Sequence, residues 1–259
     1  MIMAVITLTT DWKDNDYYIG CMKGALLSKL PGCIIIDISH QIKSFNITQA
    51  AFVLRNCYTY YPAGTIHIMG INSEPEQNQQ HILVKAHEQF FIGTDNGIFS
   101  LLFKEKVNQI INISNKKLIT TFPELDLFID IAVQIDKGTD IKKLGTELSE
   151  FQKRIPLRAT IDDSVITGSI VYIDSYRNAI TNISHDLFER IGNKRSFELF
   201  VQSNSYRIRK INNFYNETSP GELLALFNSL DLLEIAINKG NAADLLNLST
   251  NSSVRIKFQ

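Results

Sequence analysis

Two carboxylates follow the first apolar run of the chain, and together they could bind a neutral polyol or a cation. Residues 4–8 have the length and β-branched character of a buried strand, and Asp11 and Asp16 come after them. From Asp16 to Pro31 the apolar residues have helical spacing. Polar residues between a strand and a helix lie where open α/β sheets bind ligands. These carboxylates would repel a phosphate, which prefers backbone N–H groups.

A structural interpretation of the same two residues is also open. Asp16 would then only cap the N-terminus of its helix, and Asp11 would be solvated. The stretch by itself does not decide between a ligand site and a helix cap.

The common catalytic motifs are missing from the sequence. It contains no Walker A sequence, no G-x-G-x-x-G and no G-x-S-x-G, and no two histidines are spaced as H-x-x-x-H. His67 lies inside an apolar run, which favours a hydrogen-bonded core residue, whereas His40 follows a predicted strand and is the better pocket candidate. The odd number of cysteines and the lack of C-x-x-C spacing argue against a zinc site or a disulfide framework. We expect no metal.

Composition limits the partners and the location of the protein. The formal net charge of −1 provides no basic field, so nucleic acid is not expected as a partner. No apolar stretch has the length of a membrane span, and no signal peptide is visible. Cysteines without an evident disulfide pattern suit a reducing compartment. We expect a cytoplasmic protein without membrane partners.

The first part of the chain predicts an α/β domain over residues 1–150, with a mostly parallel sheet. Continuous apolar runs are typical of strands buried on both faces of such a sheet. The polar stretch at residues 72–80 predicts a loop at the carboxyl end of a strand, which is a ligand position. The predicted strands cover residues 4–8, 33–38, 65–71, 81–86, 89–92, 98–103 and 107–113, and the helices residues 16–30, 47–60 and 128–135.

The remainder predicts a linker and a β-rich second domain. Residues 136–156 are charged and lack a strong apolar period, as expected for a linker. Residues 157–259 carry short apolar runs separated by turn residues, which predicts a small barrel or a sandwich. The predicted strands cover residues 158–161, 167–173, 196–201, 205–211, 223–227, 232–237 and 254–258.

Separated blocks of sequence together resemble one family, the S-adenosylmethionine hydrolases, or SAM hydroxide adenosyltransferases, which are relatives of the fluorinases and chlorinases. Each block is weakly specific alone, but their common order covers nearly the whole chain. The blocks are Thr9-Thr10-Asp11 with Asp16, Gly20 and Met22-Lys23-Gly24; Asp37-Ile38-Ser39-His40; Gly64-Thr65-Ile66-His67; Asp95-Asn96-Gly97; Ile173-Asp174 with Asn178 and Thr181-Asn182-Ile183; and Gly221-Glu222-Leu223 with Asn228-Ser229, Leu233-Glu234-Ile235-Ala236 and Gly240-Asn241-Ala242-Ala243.

The resemblance implies a fold, an assembly and a reaction. It implies an N-terminal α/β domain, a C-terminal β-barrel-like domain and a homotrimer. The ligand would lie where the N-terminal domain of one subunit meets the C-terminal domain of a neighbour. Family members attack C5′ of S-adenosyl-L-methionine and expel methionine, so that water gives adenosine and halide gives a 5′-halo-adenosine. The sulfonium compound is substrate or ligand, and no separate cofactor is implied.

The resemblance also implies roles for individual side chains. Asp16 matches the carboxylate that holds the ribose hydroxyls, and Asp11 lies beside it. Phe45 falls where the family places an aromatic ring against the substrate, and Tyr215 matches the ring that stacks on adenine. The remaining substrate-binding positions are Asp174, Asn178, Asn228, Ser229, Glu234 and Ile237. For Glu234, inside an apolar strand, function is also favoured because an unpaired buried carboxylate is costly.

The sequence departs from the family at the residues that position and activate water. The family carries an Asp-Pro-Gly loop followed by an Arg, and later a His-Gly-Arg-Asp stretch. In a register without gaps, this chain has Asn72 at the Asp position, Gln79 at the Arg position and Pro123 at the His position. A carboxamide cannot act as a base, and proline has no polar side-chain group.

Three hypotheses therefore remain. The chain is a divergent hydrolase in which Glu74, Glu76, Glu124 or His81 supplies the base; or it binds S-adenosylmethionine or adenosine without turnover; or it is a halide transferase. A carboxylate at residue 124 disfavours the third, since it would repel an anion. The candidate catalytic positions are Asn72, Gln79 and Glu124.

Overall fold

A computed structural model describes residues 3–74, 79–105, 107–114, 120–203 and 206–259. The chain divides into two compact units, residues 1–156 and residues 157–259. The first unit has the predicted α/β fold, and the second is a nearly closed, barrel-like sheet with short helices.

The described part of the first unit contains a seven-stranded sheet with the order β2-β1-β3-β5-β4-β6-β7. Strands β2, β1, β3 and β5 are parallel, and β4, β6 and β7 extend the sheet in antiparallel fashion. The strands are β1 (Val5–Thr10), β2 (Ile34–Ser39), β3 (Ile66–Gly70), β4 (His81–Ala86), β5 (Gln89–Thr94), β6 (Gln109–Asn112) and β7 (Thr146–Glu147).

Helices cover both faces of this sheet. On one face Phe128 and Met22 belong to an apolar cluster with Leu8, and on the other Leu54 and Phe99 pack in a second cluster. The two clusters bury most of β1, β3 and β5, as this architecture requires, whereas the edge strand β2 remains partly exposed. The helices are α1 (Tyr17–Lys29), α2 (Ile47–Arg55), α3 (Ile98–Leu102) and α4 (Ile129–Asp136), with a π-helical turn at Glu124–Phe128 and 3₁₀ turns at Tyr58–Tyr60 and Ile141–Lys143.

The predicted strand at residues 98–103 is wrong, because this segment forms helix α3. Gly97 has φ 96°, and the Asn96 side chain accepts a hydrogen bond of 3.2 Å from the Ile98 N–H. Four of the five helical residues are buried, so no polar face reveals the helical period. A short apolar run does not distinguish a buried strand from a buried helix.

The segment predicted as a linker, residues 136–156, is instead built into the first unit. Strand β7 pairs with β6, and Leu148 and Phe151 pack against one of the apolar clusters. The charged residues around these few apolar anchors hide them from a search for periodicity. The linker prediction is therefore wrong for this segment.

The described part of the second unit contains a nine-stranded sheet with the order β12-β11-β16-β9-β10-β15-β14-β13, and β8 pairs with β9. Most of its buried apolar residues form one cluster inside the sheet, and Leu224, Leu226 and Ala236 form a small second cluster. The strands are β8 (Thr160–Asp162), β9 (Val165–Ile173), β10 (Ala179–Ser184), β11 (Phe197–Val201), β12 (Arg207–Ile208), β13 (Ile211–Asn212), β14 (Leu223–Phe227), β15 (Leu232–Ile237) and β16 (Ser253–Phe258), and the helices are α5 (His185–Gly192) and α6 (Ala242–Leu245).

Two details of the second unit differ from the predictions. The strand predicted over residues 205–211 is divided into β12, which pairs with β11, and β13, which pairs with β14; residue 205 itself lies outside the described residues. The sequence patterns also missed β10 and α5. In β10 the polar Thr181 is fully buried because its hydroxyl donates a 2.9 Å hydrogen bond to the Leu233 carbonyl, and so a polar residue occupies a core position.

Candidate functional site

A cleft of about 510 Å³ lies in the first unit, at the edge where β1 and β3 end. The chain leaves β1 through Asp11 and leaves β3 through residues 71–74, so both segments reach the same edge of the sheet. This is the edge at which parallel α/β sheets bind ligands. The lining residues are Asp11, Trp12, Lys13, Asp16, Tyr18, Ser44, Phe45, Asn72, Ser73, Glu74, Thr121, Phe122, Pro123 and Glu124.

Asp11 is held in place by the backbone around it. The N–H of Phe45 donates a 2.7 Å hydrogen bond to Asp11 Oδ2, and the N–H of Asp11 donates to the Gly70 carbonyl at 3.3 Å. Burial raises the pKa of Asp11, while the amides of Phe45, Asp11 and Asn72 partly offset that rise. Asp11 is therefore a positioned cleft carboxylate and not a freely solvated one.

Asp16 both caps a helix and lines the cleft. Its Oδ1 accepts a 2.8 Å hydrogen bond from the Tyr17 N–H, which fixes the start of α1. The side chain is exposed and belongs to the cleft wall. The cap and the ligand site, which the sequence presented as alternatives, are thus compatible at this residue. One carboxylate oxygen serves the helix, and the group still faces the cleft.

Glu124 is the buried carboxyl of the cleft, with 3% of its surface exposed. It begins the π-helical turn that precedes α4, and it lines the same wall as Asp11. A Cβ added to Gly70 would lie 2.9 Å from Glu124 Oε1, so the bare backbone of Gly70 makes room for the carboxyl. Burial raises the pKa of Glu124 to about 7, and the Asp11 charge adds to the rise.

Ser73 partly offsets the effect of burial on the pKa of Glu124. Its buried hydroxyl lies near the Glu124 carboxyl and opposes part of the pKa rise, but it forms no well-aligned hydrogen bond within the described residues. The carboxyl of Glu124 is therefore poorly solvated and weakly paired. Such a group exchanges a proton near neutral pH.

Aromatic rings form one wall of the cleft, and no sequence pattern predicted this wall. The ring of Trp12 lies 5.9 Å from Tyr18 and 5.3 Å from Phe122, and Tyr18 lies 5.3 Å from Phe122, measured between ring centroids. Trp12 follows Asp11 directly, and Phe122 precedes Pro123, so each aromatic residue is adjacent in sequence to a predicted or substituted site position. Their contact joins segments 110 positions apart in the sequence, and no local pattern reveals it.

Two of the three positions at which this chain departs from the family lie in the cleft lining. Asn72 and Pro123 line the cleft, whereas Gln79 is not among the described residues of the lining. Asn72 has φ 46°, and its carbonyl accepts a 3.3 Å hydrogen bond from Asn96 Nδ2. Among the candidate bases, Glu74 is exposed in the lining, and Glu76 lies outside the described residues.

Three histidines considered in the sequence are buried beside threonine hydroxyls. His81 is buried beside Thr94 Oγ1 at 3.1 Å, and burial lowers its pKa to about 4. His67 lies 2.7 Å from Thr7 Oγ1, which fits the core role expected for it. His40, the pocket candidate, is buried with Nδ1 2.7 Å from Thr10 Oγ1. None of them belongs to the cleft lining in the part of the chain that the structure describes.

A second polar cluster lies in the second unit, around Glu234 of β15. The Tyr215 hydroxyl donates a 2.8 Å hydrogen bond to Glu234 Oε1, and Asn228 Nδ2 donates a 3.0 Å bond to Oε2. Glu234 is only 2% exposed, so both of its oxygens receive the partners that a buried carboxylate needs. Burial, the hydrogen bond to Glu234 and the nearby charge of Asp174 raise the pKa of Tyr215, which keeps its hydroxyl protonated.

Asp174 and Asn178 form a turn next to this cluster. The backbone N–H of Asn178 donates to Asp174 Oδ1 at 2.8 Å, and its Nδ2 donates to Oδ2 at 3.3 Å. Ser229 is exposed in the turn between β14 and β15, and Ile237 is buried at the end of β15. The predicted site residues thus form two groups, one in each unit. Phe45, with 72% of its surface exposed, belongs to the first.

Neither a metal cluster nor a membrane span is found in the described parts. No group of three or more histidine, cysteine, aspartate or glutamate side chains is arranged to hold a metal ion there. No described helix is long and apolar enough to cross a bilayer.

The sequence matches two family descriptions that together span most of the chain. Residues 6–145 match the SAM hydroxide adenosyltransferase N-terminal domain, and residues 168–255 match the C-terminal domain. An (R)-S-adenosyl-L-methionine hydrolase of Methanocaldococcus jannaschii is 29% identical over 99% of this chain and 97% of its own length. A fluorinase of an Actinoplanes species is 21% identical over 97% of each chain.

A solved structure has the same fold. The crystal structure of an uncharacterized conserved protein from Thermotoga maritima superposes with a TM-score of 0.86 at 25% identity, covering 98% of this chain and 99% of that one. The order of elements described above is therefore shared along nearly the full length of both chains.

Proposed function

The chain belongs to the SAM hydroxide adenosyltransferase family, and from this premise we propose that it hydrolyses S-adenosyl-L-methionine to adenosine and methionine. Water would attack C5′ of the ribose, the bond from C5′ to sulfur would break, and methionine would leave as a neutral thioether. The name of the relative from Methanocaldococcus jannaschii states this substrate for that protein.

The observation that carries the proposal is the composition of the cleft. Its described lining contains four carboxyl groups, those of Asp11, Asp16, Glu74 and Glu124. Among the described lining residues, Lys13 is the single basic side chain of the lysine or arginine type. Carboxylates accept hydrogen bonds from ribose hydroxyls, and their charge favours a sulfonium cation. Aromatic faces attract cations as well. The chemistry of the wall thus suits a cationic nucleoside and disfavours a phosphorylated one.

The cluster around Glu234 supports a role in adenosine binding. Tyr215 is 44% exposed, so a ring surface remains for stacking while its hydroxyl is fixed by Glu234. Asn228 and the Asp174–Asn178 turn offer further polar groups for a nucleoside. We propose that Ser229 and Ile237 complete this half of the site. An exposed aromatic ring held by its hydroxyl is preorganised for a planar base.

We further propose a homotrimer, in which the first-unit cleft of one subunit and the Glu234 cluster of a neighbour share one ligand. The resemblance to the family motivates this assembly. Its test is the molar mass in solution by light scattering coupled to size exclusion, with and without S-adenosylmethionine. A monomer at micromolar concentration in both conditions would exclude it.

The three free cysteines suit the cytoplasm, which we propose as the location.

A ligand-binding protein without turnover is the second candidate function. It is favoured by Asn72 and Pro123, which line the cleft where the family carries an acid and a histidine. Neither side chain can take a proton from water. Halide transfer is the weaker alternative, because the ionised Glu124 and Asp11 would repel a chloride or fluoride ion in the cleft.

The deciding experiment incubates the purified protein with S-adenosylmethionine and follows adenosine by chromatography. Parallel calorimetric titration measures binding. Adenosine formed above the uncatalysed background supports hydrolysis, whereas binding without adenosine supports the second candidate. The same assay in chloride-rich and chloride-free buffer tests halide transfer, which requires a 5′-chloro product.

A further inference from the structure

We propose that Glu124 is the general base of the hydrolysis, replacing the water-activating groups that the family carries elsewhere. The inference rests on the proposed function. It assigns a catalytic role to a residue of the π-helical turn that lines the cleft.

The position of Glu124 is fixed from several sides. The π-helical turn Glu124–Phe128 runs directly into α4, and Phe128 is fully buried in the apolar core of the first unit. Gly70, at the end of β3, leaves room for Glu124 Oε1 because it has no Cβ. The carboxyl is thus held at the end of the parallel strands, beside Asp11 and not out in solvent. π-Helical turns are frequently found at functional sites.

The other polar side chains near the cleft are poorer candidates for this role. Glu74 is exposed, so its carboxylate stays in contact with bulk solvent, unlike the buried carboxyl of Glu124. The substituted Asn72 has an amide without basicity. His81 is not in the described lining, and its ring packs edge-on against Phe128 in the core. Asp11 Oδ2 already accepts the Phe45 N–H at 2.7 Å, which leaves fewer of its lone pairs for an attacking water.

Burial is the main cause of the raised pKa of Glu124, and the charge of Asp11, in the segment after β1, adds to it. Lys13, Asp16 and Glu74 line the same cleft at greater exposure. A general base is most effective when its pKa lies near the working pH, because a large fraction of it is then ionised and it still accepts a proton readily. Binding of a sulfonium cation would favour the ionised carboxylate by simple attraction.

The step balances as follows. An oxygen lone pair of water forms the new bond to C5′, and the electron pair of the C5′–S bond returns to sulfur, which becomes the neutral thioether of methionine. One proton of the attacking water moves to the Glu124 carboxylate and is later released to solvent. The sum is one sulfonium cation and one water giving adenosine, methionine and one proton.

The experiment compares Glu124→Gln with the wild type and with Glu88→Gln as the matched control. Glu88 is an exposed glutamate in the turn between β4 and β5 of the same unit, and it is not part of the described lining. We expect E124Q to lose activity by about 10²- to 10⁴-fold, the usual contribution of a general base, while calorimetry shows S-adenosylmethionine binding within about threefold of wild type. E88Q should keep wild-type turnover.

The pH dependence of wild-type kcat/KM provides an independent measurement that needs no variant, because it reports the ionisation of the free enzyme. We expect kcat/KM to rise with pH through one ionisation near neutrality and then reach a plateau. In E124Q the residual kcat/KM should lack that rise. A wild-type kcat/KM that is flat from pH 5.5 to 8.5, or an E124Q enzyme with wild-type turnover, overturns the assignment.

These outcomes separate the two proposals. If the wild type forms no adenosine at any pH, hydrolysis itself is wrong. If the wild type forms adenosine and E124Q does so at the same rate, hydrolysis stands and only the role of Glu124 is lost. If E124Q loses both turnover and binding in equal proportion, Glu124 is a binding residue and the assignment as base is overturned.

Discussion

The hydroxyl of Tyr215 donates a 2.8 Å hydrogen bond to Oε1 of Glu234, a carboxylate that is 2% exposed. The two residues lie on different elements of the second unit, one in a 3₁₀ turn and one in β15. The pair explains how a strand with an otherwise apolar face tolerates a buried acid. It also makes Tyr215 responsible for both the stability of the sheet and the presentation of its own ring.

Replacing Tyr215 with Phe should destabilise the protein by about 1–3 kcal/mol, because Glu234 Oε1 then loses its donor while remaining buried. Urea denaturation followed by circular dichroism measures the change. Tyr206→Phe is the matched control, since Tyr206 is a tyrosine of similar exposure, 41% against 44%, in the same unit. Equal effects of the two substitutions would show that the hydrogen bond to Glu234 contributes nothing particular.

The substitution Glu124→Gln should increase stability at alkaline pH. The folded-state pKa of about 7 lies above the ordinary value of 4.5, so the folded protein binds the proton more tightly than the unfolded chain does. The folded state then loses stability as pH rises from about 4.5 to 7. A rise of this size corresponds to about 3 kcal/mol at pH 8.

This gain is measured by thermal or urea unfolding of both proteins at pH 4.5 and at pH 8. E124Q should exceed the wild type at pH 8 and approach it at pH 4.5. A constant difference between the two proteins across this range would mean that Glu124 ionises normally in the folded state. The result concerns stability alone and does not depend on any ligand.

Gly70→Ala should damage both the fold and the cleft. Its new Cβ would lie 2.8 Å from Trp12 Cζ2 and 2.9 Å from Glu124 Oε1, so both side chains must move. Overpacking of this kind costs about 1–3 kcal/mol. Gly20→Ala, in helix α1, is the control because nothing lies within 4 Å of its added Cβ.

The control Gly20→Ala should increase the free energy of unfolding, whereas Gly70→Ala should decrease it. Alanine is favoured over glycine in a helix by up to about 1 kcal/mol. Midpoints of urea unfolding compare the two variants. If G70A were as stable as the wild type and bound S-adenosylmethionine equally well, the close packing of Gly70 against the Glu124 carboxyl would be refuted.

Trp12→Leu should weaken the binding of S-adenosylmethionine. A cation against an aromatic face gains about 0.5–2 kcal/mol, which corresponds to about 2- to 30-fold in Kd. Isothermal calorimetry measures the change. Tyr17→Leu is the control, because Tyr17 contacts Tyr18 at 4.3 Å but does not belong to the described lining of the cleft. An unchanged Kd for W12L would exclude a role for this ring in binding.

Local sequence predicts where two residues of the candidate site lie in the fold, although it does not decide between a ligand site and a helix cap. Asp11 and Asp16 stand between a β-branched run and a helical period, and this order alone predicts their place at the edge of a parallel sheet. The residues of the second-unit cluster, by contrast, came from family resemblance. The bond between Tyr215 and Glu234 spans 19 residues and joins a turn to a strand, and no periodicity links them.

The remaining features depend on tertiary packing. Helix α3 is buried on nearly all sides, so its period is invisible, and residues 136–156 join the first unit through a few apolar contacts among many charges. The aromatic wall needs Trp12 and Phe122 to meet across the sheet edge. The burial of Glu124 needs Gly70 beneath it. Each requires the fold to be known first.

The aromatic wall has a practical consequence. The chain contains a single tryptophan, and that residue, Trp12, lies in the cleft next to Asp11. Its intrinsic fluorescence therefore comes from one place in the molecule, and the emission of the native protein acts as an optical probe of cleft occupancy. Stopped-flow mixing with S-adenosylmethionine would then time the arrival of the ligand separately from the appearance of adenosine, without a label.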